Sequence, residues 1–267
     1  MRRFIPFVKS DPLVAVVRLQ GAIMANPRGA GLNDQAVAPA IERAFRRGKP
    51  AAVALAINSP GGSPVQSSLI AARIRRLADE KKVPVHAFVE DVAASGGYWL
   101  ACAGDRIWTD HSSIVGSIGV ISAGFGFHDA IQRIGVERRV YTSGESKSIL
   151  DPFRPERAED VVRLKSLQGD IHEAFIAHVK SSRGDRLSDD PELFTGAFWT
   201  GARSVELGLA DGIGHVVPKM KELFGERTRF AVYGPRRSLF GRIGVSLASE
   251  VATGLEERAA YARFGLS

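Results

Sequence analysis

The sequence predicts an α/β domain. Apolar runs rich in β-branched residues recur at Leu13–Gln20, Ala51–Ile57 and Val83–Val89, the second of them fully apolar, and stretches with helical apolar spacing separate them. Gly- or Asn-containing turns mark most of the changeovers. Strand–helix alternation of this kind is the pattern of a largely parallel sheet covered by helices.

Taken in order, the first strand ends at Gly21, and a loop rich in Gly and Asn occupies 26–33. Gln35–Arg47 has helical spacing through Val37, Ile41 and Phe45. The second strand runs into Asn58-Ser-Pro-Gly-Gly-Ser63. Val65–Lys82 is an amphipathic helix, with Leu69, Ile70, Ile74 and Leu77 expected inward and its arginines outward. The third strand leads to a turn at Ser95, and the apolar Tyr98–Ala103 begins a buried helix. Asp105–Thr109 is a short strand, and Ser112–Ile121 reads as a loop passing into a strand. A short helix over Asp129–Ile134 and a strand over Val136–Tyr141 follow, then a polar loop over Thr142–Ser148. Pro155–Ser182 is a long charged helix whose apolar side is Val162, Leu167, Ile171, Phe175 and Val179. Phe194–Gly214 reads as strand, turn, short helix (Ala202–Leu207) and strand. Beyond Arg236, helical apolar spacing with arginines suggests an amphipathic segment suited to a partner, a membrane surface or its own domain.

With 267 residues, 45% hydrophobic and 24% charged, the chain can bury a sizeable core without staples. Its single cysteine, Cys102, excludes an intrachain disulfide and a cysteine zinc cluster. Lys9, Asp11 and Pro12 interrupt the apolar start too early for a signal-peptide core, and no window suggests a spanning helix. The net charge of +7 is scattered in small arginine clusters without interleaved aromatics, so no nucleic-acid partner is expected. A basic surface that touches anionic lipid or an acidic partner is the functional reading, and a solvated surface the plain one.

Ser95 is the candidate nucleophile. A serine between a strand and a helix N-terminus has an exposed hydroxyl and unpaired backbone N–H groups beside it. The plain alternative is helix capping. Gly61-Gly62 and the Gly96 N–H are candidate oxyanion donors, although Ser-Pro-Gly-Gly is also an ordinary turn signal. For a base, none of the six histidines (His86, His111, His128, His172, His178 and His215) has a neighbouring Asp that marks a triad. Lys147, in Ser143-Gly-Glu-Ser-Lys-Ser148, is the alternative, since Ser–Lys pairs follow triad logic.

Four segments carry a resemblance: Asn58-Ser-Pro-Gly-Gly62, Ala94-Ser-Gly-Gly-Tyr98, Gly116-Ser-Ile-Gly-Val120 and Ser143-Gly-x-x-Lys147. In this order and spacing the chain resembles the signal peptide peptidase A family, peptidase family S49, over about Leu13–Lys219. The resemblance implies the Clp protease/crotonase-like fold, a spiral of ββα units, in ring-forming homo-oligomers. It implies that Ser95 is the nucleophile, Lys147 the general base, Ser117 the hydroxyl that orients the lysine, and Gly62 and Gly96 the backbone oxyanion donors. No metal or other cofactor is called for. The domain expectation is a peptidase domain over 1–225, with a strand and an amphipathic helical extension over 226–267.

A lysine base has a physical requirement. At its ordinary pKa roughly one amine in 2,500 is neutral at pH 7, a handicap of about 4.6 kcal/mol, so Lys147 must be buried away from counter-charges. Glu145 is therefore expected to point away from it. The family usually has an N-terminal membrane anchor, for which this sequence offers no candidate. The expected activity is cytoplasmic hydrolysis of cleaved signal peptides or other short apolar peptides, with peripheral membrane contact through the start or the amphipathic tail. Two rivals are a crotonase-type acyl-CoA enzyme using the same glycine hole, and an inactive ring scaffold.

Overall fold

The computed structural model describes residues 11–25, 31–144, 146–234 and 258–266. Two units emerge: one from Met1–Gly119 with Phe175–Ser267, the other from Val120–Ala174.

The first unit is built on β1 (Leu13–Gln20), β2 (Ala52–Ser59) and β3 (Val85–Ala94), which pair in parallel in that order. Between them run α1 (Asp34–Arg46) and α2 (Pro64–Lys81). Asn33 caps α1 by accepting from the Ala36 N–H at 2.9 Å, and Ser63 caps α2 by accepting from the Gln66 N–H at 3.4 Å. β3 then turns at Ser95 into the short α3 (Gly96–Ala101). Its first half pairs with β4 (Arg106–Thr109) and its second half with β5 (Ile114–Gly116), so neighbouring strands fan out along one long strand.

The second unit holds α4 (His128–Arg133) and the first part of α5 (Ala158–Arg183). After α5 the first unit resumes with β6 (Phe198–Thr200), α6 (Gly201–Glu206), β7 (Gly212–Ile213), α7 (Val216–Phe224) and β8 (Arg229–Tyr233). The eight strands form one sheet, ordered β6-β5-β3-β2-β1-β8, with β4 and β7 continuing beside the first half of β3. β8, read from sequence as part of a C-terminal extension, hydrogen-bonds in parallel to β1 as an edge of this sheet.

Alternation along the strands sorts the core into two layers. Ala15, Val17, Leu19, Val53, Leu55 and Ile57 pack with Val37, Ile41, Ile70 and Ile74 of α1 and α2. Val14, Val16, Ala54 and Phe88 form a second cluster with Met220 of α7. Helices on both faces explain why these strands are apolar throughout.

Several expectations are corrected. Leu69 is exposed, whereas Ile70, Ile74 and Leu77 are buried as expected. Val136–Tyr141 is not a strand; among the described residues the second unit offers it no strand to pair with, and an unpaired ladder is not stable. In Ser112–Ile121 a loop does pass into a strand, but the strand is only Ile114–Gly116 and a second loop follows, because left-handed backbone at Gly116 (φ 111°) and Ser117 (φ 53°) ends β5. Along α5, Phe175 and Val179 are buried, but Val162, Leu167 and Ile171 are exposed. The proposed tail helix falls mostly outside the described residues. Only 258–262 is described as helical.

Candidate active site

Ser95 sits where β3 hands the chain to α3, at the C-terminal end of a central parallel strand. Ligands of open α/β sheets bind at that edge. Its backbone is strained, with φ 52° and ψ −122°, a conformation that L residues avoid. The strain is held by the Ser95 N–H donating to Gly116 O at 2.8 Å, and by the Tyr98 and Trp99 N–H groups closing on Ser95 O at 2.9 and 3.0 Å. The hydroxyl makes no capping bond to α3, so the plain reading of Ser95 as a helix cap fails. A serine on a strained strand-to-helix elbow has its Oγ presented outward.

The candidate hole is assembled from two backbones pressed together. A Cβ on Gly61 would lie 2.8 Å from both the Gly96 nitrogen and the Ser95 Cβ. A Cβ on Gly96 would lie 3.4 Å from the Gly62 nitrogen. Ile23 fixes the loop by donating its N–H to Gly61 O and accepting from the Ser63 N–H, both at 2.8 Å. That pairing leaves the Gly62 N–H turned away from Ile23. Gly96, as the first residue of α3, has no intrahelical acceptor for its own N–H. The buried Ser59 hydroxyl secures the same loop, donating to Gly21 O at 2.7 Å and accepting from the Gly61 N–H at 3.3 Å.

Ser117 comes to the same edge. Ala94 pairs with Gly116, so Ser95 and Ser117 are the next residues out of two adjacent parallel strands. The Ser117 N–H donates to Ala197 O at 2.7 Å, and the Trp199 ring leaves no room for a side chain at Gly116.

Lys147 is placed differently. It belongs to the second unit, in a turn where its N–H meets Gly144 O at 3.2 Å, and its side chain is exposed. The structure therefore brings together Ser95, Gly62, Gly96 and Ser117, and describes Lys147 in the other unit. The expectation for Glu145 lies outside the described residues.

Three histidines of the first unit make contacts of their own. His86 lies nine residues before Ser95 along β3, about 30 Å away at the usual strand rise. Burial pushes its pKa down, and its Nδ1 accepts from Trp108 Nε1 at 3.3 Å. His178 stacks on Trp99 with ring centres 4.8 Å apart, and its Nε2 bonds Trp99 O at 3.1 Å. His215 lies 3.4 Å from Asp110, a pairing that sequence spacing did not reveal. Asp110 directly follows Thr109, which pairs with Val89, six residues short of Ser95.

Other residues support the site through partners that the sequence did not indicate. Tyr98 donates its hydroxyl to Leu209 O at 2.8 Å, and Trp99 also stacks on Phe175 at 4.9 Å. Burial pushes the Cys102 thiol up to about 12, so it remains a neutral core group. Below it, Arg183 is 1% exposed and binds Asp211 at 2.7 Å, while Arg106 and Arg186 reach the other Asp211 oxygen. Asn58, at the head of the glycine loop, donates to Asp91 and accepts from the Tyr261 hydroxyl at 2.7 Å.

A strained serine elbow is packed against a paired-glycine loop, and comparison with known proteins identifies the family. The model of peptidase family S49 matches residues 77–225, so the chain belongs to peptidase family S49. It is 48% identical, along its whole length, to part of a Brucella melitensis protein named Na(+)/H(+) antiporter NhaA, covering 39% of that protein. It is 32% identical over 75% of its length to the chloroplastic serine protease SPPA of Arabidopsis thaliana, covering 30% of it. The chain thus spans well under half the length of these relatives. Among solved structures, the 1510-N membrane-bound stomatin-specific protease, as a variant in complex with a substrate peptide, superposes with a TM-score of 0.53 at 13% identity. That superposition covers 92% of this chain and 99% of the other. The fold is the Clp protease/crotonase-like one.

Proposed function

We propose that this chain is a serine endopeptidase working through a Ser95–Lys147 dyad and an acyl-enzyme. The observation that carries the reading is the Ser95 elbow: a strained serine that does not cap its helix, packed against the Gly61-Gly62 loop. Neutral Lys147 takes the proton of Ser95 as Oγ attacks the peptide carbonyl carbon. The developing oxyanion accepts from the Gly62 and Gly96 N–H groups, each worth about 3–4 kcal/mol to the transition state. Collapse breaks the C–N bond, and the Lys147 ammonium returns the proton to the leaving amine. Water, deprotonated by the same amine, then frees Ser95. Ser117 hydrogen-bonds the lysine and aims it.

The reading requires Lys147 to lose solvent, because an exposed ammonium is a poor base at neutral pH. Assembly into a ring of identical chains supplies a cover. The second unit supports assembly: none of its described apolar residues is buried, and Phe125, Ile134 and Tyr141 are 81%, 74% and 90% exposed. Cleaved signal peptides and other short apolar peptides, met on the cytoplasmic side of the membrane, are the proposed substrates.

Fluorophosphonate labelling at pH 8 to 9 tests the proposal. Wild-type protein should be labelled at Ser95 and hydrolyse an apolar peptide. Lys147→Ala should lose turnover with its circular dichroism unchanged. Absence of label on the folded, assembled wild type would reject the peptidase, and full turnover by Lys147→Ala would reject the dyad.

A further inference from the structure

The sheet has a second edge, opposite the one that carries Ser95. α1 and α2 each carry the chain back from the C-terminal end of one parallel strand to the start of the next, so both helices end at the edge opposite Ser95. Backbone bonds tie that edge together: Ala51 N–H to Leu13 O at 2.8 Å, Val53 N–H to Pro84 O at 2.9 Å and Arg229 N–H to Pro12 O at 2.8 Å.

Arg43, Arg46, Arg47 and Lys49 come from the end of α1, and Lys81 and Lys82 from the end of α2. All but the half-buried Arg43 are exposed. None of them is in an ion pair among the described residues, and three acids on the same two helices are already engaged. Glu42 is held by Arg73 at 3.1 Å, Glu80 by Arg76 at 2.8 Å and Asp79 by Arg75 at 2.9 Å. Arg229, at the head of β8, adds a further exposed cation at the same edge. Cations in a last helical turn complement the helix dipole, which accounts for one or two of them. A cluster drawn from separate elements adds up to a positive potential that attracts an anionic surface.

We propose that this edge docks on a bilayer surface rich in anionic lipid headgroups. A recess of about 430 Å³ runs along the flank of α1 over Pro39, Glu42, Arg43, Arg46 and Arg47, and at the end of the helix its guanidinium groups suit phosphate oxygens. The aromatic side chain between the clustered cations of α1, Phe45, is buried and cannot stack on bases, which disfavours nucleic acid. Docked this way, the Ser95 edge faces away from the bilayer, separated from it by the length of β3, about 30 Å.

Co-sedimentation of the full chain with vesicles tests the proposal. Wild-type protein should pellet with 7:3 phosphatidylcholine:phosphatidylglycerol vesicles in 0.1 M NaCl, not with phosphatidylcholine alone, and should be released by 0.5 M NaCl. Each cation near such a surface contributes a factor of roughly five in partitioning, so R43Q/R46Q/R47Q should bind roughly 100-fold more weakly. If that variant does not fold, R46Q/R47Q, which alters only exposed side chains, should bind roughly 25-fold more weakly. Failure of the wild type to bind anionic vesicles would overturn the proposal, as would binding that the substitutions leave unchanged. Retention on polyglutamate with no vesicle binding would point to an acidic protein instead and equally overturn it.

Discussion

At the scale of single residues, the site depends on backbones that tolerate no side chain. A Cβ on Gly62 would lie 2.0 Å from Ile23 O, at a φ of 140° that L residues rarely adopt. Gly62→Ala should therefore displace the loop and its N–H together, cutting kcat about 100-fold or more and destabilising the fold by about 2 kcal/mol. Peptide-hydrolysis kinetics beside a urea melt separate the two effects. Ser117 is read as a hydroxyl that aims the lysine. Ser117→Ala should lower kcat about tenfold and leave Tm within a degree or two, since the Ser117 N–H bond to Ala197 O is kept. A drop in Tm with unchanged kcat would make Ser117 merely structural.

At the scale of elements, the base of the site is the junction of α5, β4 and β7, pinned by Asp211. Burial pushes this carboxyl up, but hydrogen bonds from Arg183 and the Ile107 N–H, with the charge of Arg183, outweigh burial and hold it at about 2. A folded pKa below the ordinary 3.8 stabilises the protein above about pH 4, and that contribution is lost as pH falls from about 4 to 2. The shift is worth about 2 kcal/mol. Asp211→Asn leaves the buried Arg183 without a counter-charge and should lose about 3 kcal/mol at pH 7, with a flatter stability profile between pH 4 and 2. Urea melts across that range provide the check. The long helix α5 shows why periodicity alone misleads about burial: one stripe continues from Val162 to Val179, yet only its last part is covered within a single chain.

At the scale of the whole molecule, the exposed apolar residues of the second unit set the expectation for assembly. Several large apolar side chains exposed on one unit mark an interface. Light scattering should find an oligomer larger than a dimer for the wild type. F125E/I134E should dissociate it and remove peptidase turnover, although neither residue belongs to the dyad. A fully active monomer would reject ring assembly as a condition of activity.

Much of the fold was legible because local patterns and tertiary roles agree. The first three strands and the first two helices fall within a few residues of their expected places, since parallel strands buried on both faces need unbroken apolar runs. β3 extends to Ala94 because the main-chain pairing of Val92–Ala94 with β5 is non-local and leaves no local sequence signature. The strand expected at Val136–Tyr141 failed for the converse reason: its β propensity is real, but the described second unit offers it no ladder. The support of the site by Asp211, Ser59 and Trp199 was also illegible, because partners so far apart in sequence meet only in the folded chain.

Sequence by itself determined the α/β class, the family, and the residues Ser95, Gly62, Gly96, Ser117 and Lys147 as candidates for chemistry. Their types and order are local properties of the chain. Only the tertiary structure decided that the Ser95 hydroxyl is not a helix cap, that Gly61 and Gly62 press against Ser95 and Gly96, and that Ser117 leaves the sheet beside it. It also put the clustered cations on the edge opposite Ser95. The physical reason is strand pairing: residues remote in the chain become neighbours through main-chain hydrogen bonds, whose register depends on the whole sheet.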